Sequence, residues 1–468
     1  MKRLSWTLAL LLLSCRANDL ASKDRSDLQQ GLENRLGLPL ETLVDDLDAS
    51  IDPSAASLLR TPIDETSAVR IALLNNREVR AALAHLGIAR ADLVQAGLLR
   101  NPVFDASARF FFTGGTEVEL GFAQPFLDLF YRPLRQRLAE HEFAAARTMV
   151  THELVRLAFA ARRALVSVRA ANQLVVLQQQ ALATACASHE LMQKLFEAGN
   201  ATDRAIAQER LFEAQARLDL DAAEMAAREA REPVQRLLGL WGPHTQWTVA
   251  GELDANPLGD INLKHLETRS ISASLDLRED RSRIDSLAQH VNIESWRAWF
   301  PDAHAGVSAM RDAGGEWGLG PGVMMELPIL DSGVARTDRA TAALRERLQH
   351  HVHLAVEVRS AARMLGERAR HLTERLGFLR NTQMVLREDF VKRVVQNYNA
   401  MQIGAFEVLR AREQQVAEER ELLNTLRSAH LARLDLQELL AGSLPRAALG
   451  ATWPMLGSPG QPKTSQGH

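Results

Sequence analysis

The chain has 468 residues, with 55 Lys+Arg against 58 Asp+Glu and a formal net charge of −3. No global positive field exists to neutralise phosphates, which excludes a basic nucleic-acid binder. Two cysteines exclude a disulfide framework or a cysteine-built zinc site, and 5% aromatic residues argue against a wholly β protein of this length.

The chain opens on basic Met1-Lys2-Arg3, an almost unbroken apolar run Leu4–Leu13, and Ser14-Cys15. The run is too short to span as a stable helix and has the layout of a secretory signal over residues 1–14. Cys15 directly after Ser14 resembles a bacterial lipobox, which implies lipidation of Cys15. Arg16, in place of an Asp, is compatible with sorting to the outer membrane. Residues 15–60 are polar, with a break at Ile51-Asp52-Pro53-Ser54, and read as an extended anchored linker. No later stretch offers 18 apolar residues free of charge, so no further spanning α-helix is expected. Any membrane crossing then requires a closed barrel.

From Thr61 one pattern is written twice, over 61–250 and 251–441. Each copy reads helix, β-hairpin, very long helix, turn and helix. The tail 442–468 is rich in Gly, Pro and Ser and reads as disordered. The first hairpin, 103–126, alternates Phe104, Ala106, Ala108, Phe110 and Phe112 with Asp105, Ser107 and Arg109. After Thr113-Gly114-Gly115, Val118, Leu120 and Phe122 alternate with Glu117, Glu119 and Gly121. In the second, 303–328, Trp317, Leu319, Pro321, Val323, Met325 and Leu327 alternate with Glu316, Gly318, Gly320, Gly322, Met324 and Glu326. Period two with one apolar face predicts strands of the length that a tilted membrane-spanning strand needs. In that setting Asp105, Arg109, Glu117, Glu119, Glu316 and Glu326 are the lumen-facing candidates.

The long helices carry a different period. Leu154, Leu157, Ala161, Ala164, Val168, Ala171 and Val175 recur at alternating spacings of three and four, as do Ala355, Val358, Ala362, Leu365, Ala369, Leu372, Leu376 and Leu379. This predicts antiparallel coiled-coil seams with Ala allowing close approach. From Pro133 to about Phe196 nothing interrupts the helix, a length of roughly 90–100 Å. Leu211, Leu218 and Met225 predict a returning helix packed on the outgoing one. The reversals fall at Phe196–Asp203 and Tyr398–Glu407, with Gly199 and Gly404 expected in the left-handed conformation.

With these residues in place the chain resembles the TolC-type outer-membrane efflux proteins over about 61–442. The likeness includes Ala68-Val69-Arg70-Ile71-Ala72-Leu73-Leu74-Asn75-Asn76, Ala96-Gly97-Leu98-Leu99-Arg100-Asn101-Pro102, Phe126-Leu127-Asp128-Leu129, Leu237-Leu238-Gly239 and Pro328-Ile329-Leu330-Asp331-Ser332-Gly333. The resemblance implies a mainly α protein with a small β part. Three copies would share a twelve-stranded β-barrel and a helical periplasmic tunnel. It implies a homotrimer in outer-membrane lipid, a periplasmic adaptor and an inner-membrane pump. It also makes the reversals the periplasmic tip, with Phe196, Gly199, Asn200, Tyr398, Ile403 and Gly404 as adaptor contacts and Glu197, Asp203 and Asn399 as gate candidates. The second reversal departs from the family in spacing, with Met401-Gln402-Ile403 ahead of Gly404. Four strands cannot close a barrel, so hairpins in lipid independently require an oligomer.

No nucleophile elbow, phosphate loop, dinucleotide fingerprint or HExxH motif occurs, so no enzyme activity and no cofactor are expected. His350-His351-Val352-His353 is the single histidine cluster. It lacks an acidic or Cys partner at ligand spacing, and reads as a solvated or packed patch rather than a metal site. The reading is a passive export duct for small molecules. A protein-secretion duct and a structural coiled-coil lipoprotein are the alternatives, the latter having no need of two matching hairpins.

Overall fold

The computed structural model describes residues 23–41, 51–112, 115–259, 262–299, 303–312, 314–326 and 329–446. Cys15, the expected signal over residues 1–14 and residues 447–468 lie outside them. The chain order is α1 (23–36), α2 (Pro53–Leu58), α3 (Glu65–Asn75), α4 (Arg77–Ala96), β1 (Val103–Phe110), β2 (Thr116–Pro125), α5 (Asp128–Glu197) and α6 (Asp203–Leu238). There follow α7 (Leu266–Ala273), α8 (Leu275–Trp299), β3 (Ala303–Arg311), β4 (Trp317–Met325), α9 (Val334–Phe378), a π-helical turn (Leu379–Gln383), α10 (Met384–Asn399) and α11 (Ala405–Ala441). Among the described residues no helix is long and apolar enough to cross a membrane.

Two compact units form, and each draws on both repeats. One comprises Met1–Asp24, Ala81–His152 and Leu275–Val356; the other comprises Arg25–Arg80, Glu153–Ser274 and Glu357–His468. Among the described residues the first unit holds one antiparallel sheet, in the order β1-β2-β3-β4. The hairpin pairs Phe104 with Phe122, Ala106 with Leu120 and Ala108 with Val118, so the alternating apolar positions meet across the ladder. The sheet is anchored where α5 begins. The buried Asp128 carboxylate accepts the Arg100 backbone N–H at 3.0 Å and contacts Arg135 at 2.6 Å. Burial works to raise this carboxyl, but those hydrogen bonds and the two arginines outweigh it and hold it below its ordinary value. Helix α5 starts five residues before Pro133 and is 70 residues long, which gives about 105 Å at 1.5 Å per residue.

The second unit has a core of Phe159 and Leu165 from α5, Ile71 from α3, Leu238 from α6 and Leu434 and Leu436 from α11, all fully buried. The expected linker 15–60 is corrected here. Residues 23–36 are helical, and Leu28, Leu32 and Leu36 recur every four residues on a buried face. The polar composition of this stretch concealed one apolar stripe.

The reason for α1 lies at two helix ends that mirror each other. At the end of α6, Gly239 adopts φ +66 and sits against the Asn75 carbonyl. The Asn75 side-chain amide donates to the Leu238 and Gly239 carbonyls at 2.9 and 2.8 Å, and Asn76 donates to Leu237 at 2.8 Å. Two segments that carried the family resemblance are thereby clasped together, and they satisfy orphan helix-end acceptors. At the end of α11, Gly442 adopts φ +102 and sits against the Ala273 carbonyl. Ala273 has no amide to offer. Arg35 of α1 supplies the donor, to Ala441 at 2.5 Å and to Ala273 at 3.2 Å. Gly442 and Ser443 belong to this cap, with Ser443 fully buried and its Oγ donating to Glu438, so the expected tail begins after the cap.

The seams follow the sequence in part. Ala355 is half-buried, and Val358, Ala362, Leu365, Ala369, Leu372, Leu376 and Leu379 are all buried. On α5 burial is broader than one seam. Of the expected seam Leu154, Leu157, Ala161 and Val168 are buried and Ala164, Ala171 and Val175 are half-buried, while Val155, Ala158, Phe159, Leu165 and Val166 are buried besides, because α5 lies inside the second unit's core rather than on its edge. On α6 the expectation fails. Leu211, Leu218 and Met225 are exposed, and the face turned inward carries Ile206, Glu209, Ala216 and Ala223. Small residues let α6 approach closely, and the larger ones are left on the outside.

The π-helical turn marks a one-residue difference between the repeats. Upstream of it, Ala161-Arg162 and Ala362-Arg363 correspond with an offset of 201. At the reversals, Phe196 and Tyr398, and Ala198 and Ala400, correspond with an offset of 202. The Met384 N–H reaches back to the Leu379 carbonyl, so the wide turn absorbs the added residue without ending the helix.

Candidate functional site

Two places carry the expected functional residues, one in each unit. In the sheet, one face presents Phe104, Phe110, Leu120, Phe122, Val307, Leu319 and Val323 by register. Of these, Phe104, Phe110, Phe122, Val307, Leu319 and Val323 are exposed. The other face carries Asp105, Arg109, Glu117 and Glu119, with Arg109 directly opposite Glu117. It continues through His304, Ser308 and Met310 and the glycines of β4. Glu316 and Glu326 lie just outside β4, one on each side, and not within a strand. Glu316 closes the β3–β4 turn, its N–H donating to the Asp312 carboxylate at 2.9 Å. Among the described residues the edge strands β1 and β4 have no partner strand.

The reversals lie in the second unit. After α5, the Asn200 N–H donates to the Leu195 carbonyl and the Gly199 N–H to Phe196, at 2.8 and 2.9 Å. Gly199 has φ +75 and open space around its Cα, and this is the cap expected of it. Thr202 then caps α6, its side chain accepting from Ala205. After α10 the same cap forms around a different residue. The Gln402 N–H donates to Asn397 and the Met401 N–H to Tyr398, both at 2.9 Å, and Met401 adopts φ +57. Gly404 is extended, at φ −79 and ψ 161, and occupies the N-cap of α11. The expectation for Gly404 is therefore corrected: Met401 is the counterpart of Gly199, and Gly404 is the counterpart of Thr202. A left-handed non-glycine costs about 1–2 kcal/mol. Met401→Gly should recover about that much in a thermal or urea titration, and Gly404→Ala should leave stability unchanged. A larger loss at Gly404 than gain at Met401 would contradict this assignment.

Phe196, Tyr398 and Ile403 are half-buried, whereas Glu197, Asn200, Asp203 and Asn399 are exposed. Glu197 is paired along its helix with Gln193 at 2.9 Å. Near this reversal His189 Nδ1 lies 2.6 Å from Glu213, which holds that carboxyl below its ordinary value.

The histidine cluster has an acidic partner after all, from another helix. Buried Asp280 of α8 pairs with Arg347 and lies 2.9 Å from His351 and 3.5 Å from His350. A partner seventy residues away leaves no trace in local spacing. Among the described residues no group of three or more His, Cys, Asp or Glu could hold a metal ion. Elsewhere a buried acidic pair, Asp435 and Glu438, shares Arg163 at 3.2 and 2.5 Å, and burial pushes both carboxyls up.

No family model matches the chain, and no curated protein matches it in sequence. Solved structures do match in shape. CusC, studied for the conformational changes that accompany folding and transmembrane channel formation, is 17% identical with a TM-score of 0.69, over 81% of this chain and 92% of its own. The outer-membrane protein VceC of Vibrio cholerae is 16% identical with a TM-score of 0.67, over 81% and 96%. The open outer-membrane channel MtrE of Neisseria gonorrhoeae is 18% identical with a TM-score of 0.65, over 81% and 89%. At such low identity the likeness is one of fold, and it is the fold of outer-membrane channels that this chain carries.

Proposed function

We propose that the protein is the outer-membrane channel of a tripartite efflux system, a passive duct for small molecules driven by an inner-membrane pump. The observation that carries this reading is the open four-stranded sheet. One face is apolar and solvent-exposed, the other carries charge, and both edges lack partners among the described residues. In water this sheet is a liability, whereas in lipid it is one segment of a barrel. Three copies would close twelve strands, with Asp105, Arg109, Glu117 and Glu119 lining the lumen. The export signal and Cys15 fit delivery and lipid anchoring at the outer membrane. The likeness to outer-membrane channels supports the same role. The reversals would form the periplasmic tip that meets the adaptor, and Asp203 and Asn399 would contribute to its closure.

Purified protein added to planar bilayers should produce discrete conductance steps. Asp203→Asn should raise the open conductance if that carboxylate helps narrow the tip. A trimer that inserts without conducting would favour the structural lipoprotein, and absence of insertion would sink the barrel.

A further inference from the structure

Near the first reversal the contact between α5 and α6 is made by titratable side chains. Buried Glu209 of α6 accepts a hydrogen bond from Ser188 Oγ of α5 at 2.5 Å. One turn further along α6, Glu213 lies 2.6 Å from Nδ1 of His189, the next residue of α5. The second repeat fills the same place with apolar groups. With the offset of 202 that relates the reversals, His189 corresponds to Val391 and Glu209 to Ala411. Val391 and Ala411 are both buried. Packing at this level therefore needs no ionisable group, and a buried carboxylate carries a desolvation cost that Ala does not. Beside them the α10–α11 arm is paired by Arg387 and Glu418, and a guanidinium stays charged throughout the accessible pH range.

The groups around His189 leave the proton on its ring to decide the link. The imidazole opens on a cleft of about 430 Å³ that also takes in Cys186, Glu190, Lys194 and Arg210, so solvent reaches it. Glu190 and Lys194 pair with each other at 2.8 Å. Arg217 lies 3.1 Å from the other oxygen of Glu213, but both are on α6, so this pair does not join α6 to α5. On the α11 side, the next cleft along carries Arg412, Glu413 and Arg420 beside Thr184 and Gln215, and Arg420 is paired with Asp219 at 3.3 Å.

We propose that His189 and Glu213 form a proton-operated clamp that tightens the α5–α6 arm in mild acid and leaves the α10–α11 arm unchanged. In neutral solution the link is a hydrogen bond from an uncharged imidazole to a carboxylate. One proton on the ring turns it into an ion pair, and free imidazoles take that proton near about pH 6.5. The hydrogen bond from His189, then its charge and that of Arg217, hold the Glu213 carboxyl below its ordinary value. The contribution of a carboxyl lowered by folding is lost only as pH falls through that lowered value. The clamp is therefore tight from the pH at which the imidazole charges down to below the ordinary carboxylate range. His189 lies roughly 12 Å from the end of α5 at Glu197, and Glu213 roughly 15 Å from Asp203. The clamp acts on the first reversal and makes the two reversals unequal in mild acid. The inference rests on the proposed channel and adds how acidity regulates one half of its tip.

The test is hydrogen exchange of the full-length protein, read by mass spectrometry at about pH 7.5 and about pH 5.5 and corrected for the intrinsic exchange rate at each. Amides of α5 and α6 flanking His189 and Glu213 should gain about threefold protection at the lower pH, the weight of a part-exposed ion pair. Amides of α10 and α11 flanking Val391 and Ala411 should not change. His189→Lys, charged at both pH values, should be protected at both. His189→Val with Glu209→Ala, which installs the residues of the second arm, should keep the arm folded and remove the step. If that double variant fails to fold, His189→Gln decides, since it keeps a neutral donor and should show no step. A step of equal size in α10 and α11, a step that survives in His189→Gln, or no step in the unaltered protein overturns the inference. Conducting channels without the step would count against the clamp alone. The step in a protein that never conducts would count against the channel and leave the clamp standing.

Discussion

Gly442→Ala is expected to destabilise the protein by about 2–5 kcal/mol, which combines left-handed strain with a forced separation of packed backbone. Gly442 ends α11 at φ +102, where a Cβ would collide with the Ala273 carbonyl oxygen and with the Arg35 guanidinium. Neither can yield cheaply. The carbonyl is backbone, and the guanidinium holds the Ala441 carbonyl at 2.5 Å. Gly199→Ala is the matched control, because Gly199 has φ +75 and nothing within 4 Å of an added Cβ. It should cost only about 1–2 kcal/mol. Urea titration followed by circular dichroism compares them, and equal losses would show that the clasp of α1, α7 and α11 is not tight. Arg35→Met should fall between the two, since it strands helix-end carbonyls without adding bulk.

Leu120→Lys should abolish membrane insertion, whereas the neighbouring Glu119→Lys should be tolerated. Leu120 stands opposite Ala106 and Ala309 on the apolar face, and Glu119 stands opposite Ser107 and Met310 on the other. A lysine facing lipid near mid-bilayer costs about 2–4 kcal/mol, whereas a lumen substitution changes only the local charge. The fraction recovered in outer-membrane vesicles is the readout. Equal recovery of the two variants would remove the sheet from the membrane.

The parts of the fold visible in the sequence are those with a local period. Alternation along β1, β2 and β4 set which residues share a face, and the observed pairing places Phe104 against Phe122 and Arg109 against Glu117. Spacings of three and four in α9 marked Val358 to Leu379 as buried. The reversal at Gly199 was legible because a glycine flanked by small polar residues is a local signal. At the second reversal the same rule pointed to Gly404, because Met401 bears a side chain that rarely adopts a positive φ. Registering the two repeats residue by residue would have exposed Met401, since it stands where Gly199 stands.

What the sequence by itself determined is the duplicated order of helix, hairpin, long helix and return, with the amphipathic face of each strand. These follow from the periods of 2 and 3.6 that the backbone imposes on neighbouring side chains. Only the tertiary structure decided which helix covers which stripe. Leu211, Leu218 and Met225 look as fit for burial as Leu28, Leu32 and Leu36, yet the first set is exposed and the second is buried. The difference arises from partners far away in the chain, as it does for Arg35 at the end of α11 and for Asp280 beside His351. Apolar character is written locally, but the surface that removes it from water is set by packing between distant segments.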